Sequence, residues 1–175
     1  MKRTVLILSL VLVADLSFSQ NASFSLNRPS VASIDSIEKV NKGERFISSI
    51  NFRVGNDYFP NAGQYTLANP FIYFRKWQLM NLEMNYYYSV PDSIVRLVSY
   101  SWDGSRKTTG DLNSLFESNA AQFTKYFGTT GVEKNEKHDD WEQKALIWQN
   151  DIVYVKQFFV ISQSTNRIRV LISWK

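Results

Sequence analysis

The densest set of reactive side chains lies in "EKNEKHDDWE", residues 133–142, where Glu136, His138, Asp139 and Asp140 fall within five positions. Carboxylates beside one imidazole could ligate a divalent cation, and two neighbouring aspartates could split their pKa values for acid-base work. The spacing argues against both. Adjacent residues on an extended chain point in opposite directions, and Lys134, Lys137 and Lys144 interleave with the acids to neutralise them. The segment reads as a solvated connector, with no metal site and no catalytic residue assigned to it.

Other chemistries are excluded more directly. His138 is the only histidine, so a serine triad would have to use it, and no Gly-x-Ser-x-Gly elbow occurs. The stretch "GTTGVEK" from Gly128 lacks the spacing and the Lys-Ser/Thr ending of a phosphate-binding loop, and there is no dinucleotide fingerprint. Zero cysteines remove thiol catalysis, zinc-thiolate sites and iron-sulfur clusters. No cofactor is expected.

Aromatic side chains are the second concentration of interest, with 12 Phe, 9 Tyr and 5 Trp. Rings fill cores, and they also build recognition surfaces because they bring large area at low conformational cost. Most can be assigned to buried faces of strands and helices. Tyr58, Tyr65, Tyr87 and Trp141 cannot: three lie in polar, loop-like sequence, and Tyr87 faces away from the apolar row of its strand. These four are the candidate binding residues. Loop-borne Asp57, Asp103, Asp139 and Asp140 are the candidates for a carboxylate-dependent hydrolase, the alternative reading, although no spacing among them names a reaction.

The elements that must position these groups follow from periodicity. Lys2 and Arg3, the apolar run "TVLILSLVLVA" and small Ser17 and Ser19 form a signal peptide over residues 1–19, with cleavage expected before Gln20. Asp15 interrupts the run well short of the roughly 20 apolar residues that a spanning helix needs. No membrane span is therefore expected after cleavage, and location is expected to be secreted or periplasmic. Losing Lys2, Arg3 and Asp15 lowers the formal charge of +4 by one. That mild, dispersed excess is no nucleic-acid footprint.

Residues 20–30 read as a linker and 31–175 as one domain. A chain of about 155 residues buries roughly 70% of its unfolded surface, which suffices without the disulfides common in exported proteins. Ile34, Ile37 and Val40 suggest a short helix capped by Ser33 and stopped by Gly43. Residues 44–54 alternate, with Phe46, Ile50, Phe52 and Val54 on one side, and read as a half-buried strand. Residues 55–70 form a loop long enough to suggest either binding or disorder.

Strands are expected at 71–79, 82–90 and 94–102, the last two joined by the turn "VPDS". Four of the five rings in residues 85–102, all but Tyr87, then alternate on one side of a hairpin. A longer helix spans "GDLNSLFESNAAQFTKYFG", with Asp111 as cap, Leu112, Leu115, Phe116, Phe123 and Phe127 as its apolar stripe, and Gly128 as stop. Three strands at 145–149, 152–162 and 167–174 close the chain. The expectation is an α+β fold: a largely antiparallel sheet of about seven strands with one or two helices packed on one face. The two halves share an order of elements. An exported binding domain for a protein, glycan or lipid is the preferred functional reading.

Overall fold

The computed structural model describes residues 24–50, 52–56, 58–77 and 80–175. The signal peptide and its cleavage point lie outside them, as does Asp57. In chain order the elements are α1 (Ile34–Val40), β1 (Glu44–Phe46), β2 (Phe71–Trp77), β3 (Met80–Tyr88), β4 (Val95–Gly104), α2 (Thr109–Phe127), β5 (Val132–Lys137), β6 (Trp141–Gln149), β7 (Val153–Ser162) and β8 (Asn166–Trp174). Among the described residues the eight strands form one antiparallel sheet in the order β1-β2-β3-β4-β8-β7-β6-β5. The fold is α+β, as expected. Each half is a helix followed by a four-stranded meander, and the halves meet where β4 pairs with β8, Leu97 opposite Ser173 through Gly104 opposite Asn166.

Alternation divides the sheet side chains between two faces. One face carries Tyr73, Met84, Tyr86, Val98, Tyr100, Trp102, Val155, Phe159, Ile168, Val170 and Ile172, and packs against Ile34 of α1 and Leu112, Leu115, Phe116, Ala120 and Phe123 of α2. Helix α2 begins at Thr109, so Asp111 lies in its first turn rather than at its cap. Its charge still suits the positive helix end. Gly128 adopts φ 71° and returns its N–H to the Thr124 carbonyl at 2.9 Å, a closure that a side chain at this position would strain. Tyr86, Tyr100 and Trp102 belong to this core, with Tyr88 packed at its margin.

Strand β6 begins at Trp141, ahead of the expected start at Ala145, and three further departures each have a physical reason. First, only Glu44–Phe46 of the alternating run 44–54 pairs as a strand, and Phe46, Ile50 and Phe52 remain exposed. The chain leaves the sheet edge early because it must cross to the opposite face. There Phe59 and Ala62 are buried with Tyr87, Leu97, Ala145, Phe158 and Leu171, and Val54, Tyr65 and Leu67 pack around them. The long loop of residues 55–70 is thus a cover for half of the second face. It is tied to the end of β3 by bonds from Ala68 N–H to the Tyr88 carbonyl and from Val90 N–H to the Thr66 carbonyl, both 2.9 Å.

Second, the charged connector contains β5, fully exposed and paired residue by residue with β6 from Val132 opposite Ile147 to Lys137 opposite Glu142. A strand with no buried side shows no hydrophobic alternation, and its backbone pairing with β6 ties it to the sheet; Lys134 and Lys137 suit a sheet edge because charge opposes further pairing. This strand accounts for the eighth. Third, Tyr87 is 9% exposed. It does face away from the helices, but the loop buries the side on which it lies.

Close approach also shapes the turn after α1. A Cβ on Gly43 would lie 2.2 Å from Glu38 Oε2, and that carboxylate is held in place by Arg75. Gly43→Ala is expected to cost about 1–3 kcal/mol, as overpacking does, which a urea unfolding midpoint would register.

Candidate functional site

The loop covers the second face only over its centre. Toward β5 the strands keep an open surface, because Trp141, Gln143 and Ile147 of β6 alternate outward and face Ser162, Val160 and Lys156 of β7. The result is a groove of about 920 Å³ whose walls include Asn56 and Tyr58 from the loop and Lys134, Glu136 and Asp140 from the β5–β6 hairpin. Trp141, Tyr154 and Phe158 supply its rings, and Gln143, Lys156 and Arg167 supply polar groups between them.

Two of the four candidate rings meet here. Trp141 opens β6, and its ring stacks on that of His138, centroids 4.2 Å apart at 24°. The His138 N–H donates to the Trp141 carbonyl at 2.9 Å, so the turn fixes both rings together. Tyr58 sits edge-on to Phe158 with centroids 6.0 Å apart, and its hydroxyl accepts from Nη1 of Arg169. It remains 39% exposed. Since Trp141 pairs with Ser162 and Tyr58 packs on Phe158, the two rings are separated by four residues along β7, about 13 Å.

The other two candidates are elsewhere. Tyr65 stacks on Phe59 at 5.5 Å and lies under the Arg96 guanidinium at 4.6 Å, as part of the loop's own packing. Tyr87 is buried beneath that loop, and desolvation pushes its hydroxyl up to about 12. Neither reaches the groove.

The carboxylates are similarly dispersed. Asp103 accepts two bonds from Arg167, Nε to Oδ1 and Nη2 to Oδ2, the latter at 2.9 Å. Asp139 and Asp140 are exposed at the hairpin turn. Among the described residues no group of three or more His, Cys, Asp or Glu is placed to hold a metal ion. The groove can therefore offer ring faces for stacking and a mixed set of charged and amide groups for hydrogen bonding, over an open floor.

A second constellation, on the helical face, was missed by sequence reasoning. Glu38 of α1 is fully buried and takes two hydrogen bonds from Arg75 of β2, Nε to Oε2 at 2.8 Å and Nη2 to Oε1 at 2.7 Å. The Tyr86 hydroxyl also donates to Glu38 Oε1. Burial and that bond hold Tyr86 well above the usual tyrosine range, and burial pushes Tyr100 beside it up to about 12. A signal existed in the sequence: Glu38 follows Ile34 by four residues, which places it on the buried side of the helix.

Compared with family models, with curated proteins and with solved structures, the chain matches none. Among the described residues no helix is long and apolar enough to cross a membrane.

Proposed function

We propose that this protein is an exported, non-catalytic binding domain that holds a glycan along the open half of its sheet. The observation that carries the reading is that Trp141 of β6 and Tyr58 of the covering loop line one shallow groove, with Gln143 and Arg167 at the position between the rings and Lys156 beyond Tyr58. Sugar rings present apolar C–H faces and equatorial hydroxyls together. Aromatic faces with interleaved amide and charged groups suit that mixture, whereas an apolar lipid tail would strip water from those polar groups and offer no hydrogen bond in return. The separation of the two rings along β7 favours an extended oligosaccharide over one sugar. Export is supported by the basic start, the apolar run and the small residues before Gln20.

Screening over an array of immobilised glycans, with phosphatidylcholine vesicles as control, tests the ligand class. Binding to one structural family of glycans and none to vesicles is expected; vesicle binding alone, or no glycan bound, would sink the reading. Trp141→Ala and Tyr58→Ala should each lower the affinity about tenfold, equivalent to about 1.4 kcal/mol. Mass spectrometry of the exported chain should find Gln20 at its amino terminus.

A further inference from the structure

The helical face carries a separate cleft of about 920 Å³ between α1 and α2. Its floor is β-sheet, with Arg75, Tyr86, Val98 and Tyr100; Ile37 of α1, Asn41 just beyond its end, and Gln122, Lys125 and Tyr126 of α2 form its sides. Residues 24–29 run along it as a strap. Phe24 packs against Tyr100 and Phe123 with centroids 4.9 and 4.8 Å away, and Trp174 donates its indole N–H to the Leu26 carbonyl at 2.9 Å.

The charge of this cleft is one-sided. Arg28, Arg75 and Lys125 line it, and among the described residues no aspartate or glutamate does, in contrast to the sheet-face groove with its Glu136 and Asp140. Arg75 uses Nε and Nη2 on Glu38, and its Nη1 takes no part in that pair. Arg28 donates Nη2 to the Lys175 carbonyl oxygen at 2.9 Å. Burial first, and the neighbouring Arg96 second, push it below the usual arginine range, with Asp92 opposing, so an anion on its open side would favour its charged form. Gln122 Nε2, on the cleft wall, is buried without a hydrogen-bond partner. A buried donor of this kind is costly until something accepts from it.

We propose that the cleft binds an amphiphile with one carboxylate and an apolar body, the acid held among Arg75, Arg28 and Lys125 and the body laid against Tyr100, Tyr126 and Trp174. Phe24 already shows that an apolar ring is accommodated there. Gln122 donates its free amide hydrogen to the acid or to a group next to it.

The test titrates isotope-labelled protein with decanoate and with phenylpropanoate, each beside the alcohol of the same skeleton, and follows the Gln122 side-chain amide and the Trp174 indole N–H by NMR. Both resonances should move, and at least one acid should bind about tenfold tighter than its alcohol, since a hydrogen-bonded charge is lost in the neutral analogue. The tighter acid identifies an alkyl or an aromatic body. Lys125→Glu, at an exposed position in the last turn of α2, should weaken the acid about fivefold and lower the urea midpoint only slightly, by the small helix-end effect of the charge. Equal binding of acid and alcohol, unchanged affinity in Lys125→Glu, no binding of either acid, or shifts confined to Tyr58 and Trp141 would each overturn the proposal. Those last two residues report on the sheet-face groove, so the two sites fail independently.

Discussion

Arg75→Met is expected to destabilise the fold by about 3–5 kcal/mol, the loss typical of stranding one member of a buried ion pair. Glu38 has no solvent exposure, and the Arg75 side chain has 15%. Without the guanidinium the carboxylate keeps only the Tyr86 hydroxyl among its side-chain partners described above, and its burial becomes an uncompensated charge. With total stabilities of about 5–15 kcal/mol typical, such a loss brings the protein close to its unfolding limit, visible as a large fall in urea midpoint. The double variant Glu38→Leu with Arg75→Met is expected to recover most of it, because replacing both members by apolar groups removes the desolvation penalty with the attraction. If the single and double variants lose equal stability, the pair is not what holds α1 to the sheet.

The second large effect is alkaline. Burial raises Tyr87 and Tyr100 from 10.0 to about 12, and burial with the Glu38 bond raises Tyr86 further. A phenol that holds its proton more tightly in the fold than in the unfolded chain contributes stability that is intact below about pH 10. That stability is lost as pH rises through 10 toward the folded value. Each such tyrosine lowers stability by about 1.4 kcal/mol per pH unit across that window, so the three together lower it by about 4 kcal/mol per unit. Tyr73 is also raised to about 12, but its hydroxyl meets Asp35, 74% exposed, and water screening shrinks its share. The protein should therefore unfold cooperatively between pH 10 and 12, with tyrosinate absorbance and loss of circular dichroism rising together. Tyrosines titrating one by one while the fold persists would contradict this. Tyr87→Phe should make the pH dependence shallower.

Much of the architecture was legible. The stripe Leu112, Leu115, Phe116 and Phe123 is the buried side of α2, and polar Asn119 is buried within it. The alternation Ile168, Val170, Ile172 and Trp174 marks the helical side of β8. Both patterns are local consequences of residue period, which one strand or helix expresses by itself. Of the four candidate rings, Trp141 and Tyr58 came together, while Tyr65 and Tyr87 joined a small second core. Tyr58, Tyr65 and Trp141 share the same polar flanking sequence, and the strand position of Tyr87 does not show that a loop covers its side, so nothing local separates the pairs.

The sequence by itself determined the class of fold, the polarity of each strand's two sides and the absence of thiol chemistry, because these depend on composition and on spacing within one element. Tertiary structure alone decided that residues 55–70 close over the second face, that β5 pairs in spite of its charge, and that Glu38 meets Arg75 and Tyr86. The loop cover and the Glu38 cluster are contacts between distant segments, whose worth lies in surface removed from water or charge matched across space, which no window along the chain contains. The β5–β6 hairpin is local, but a strand with no buried side carries no period to mark it.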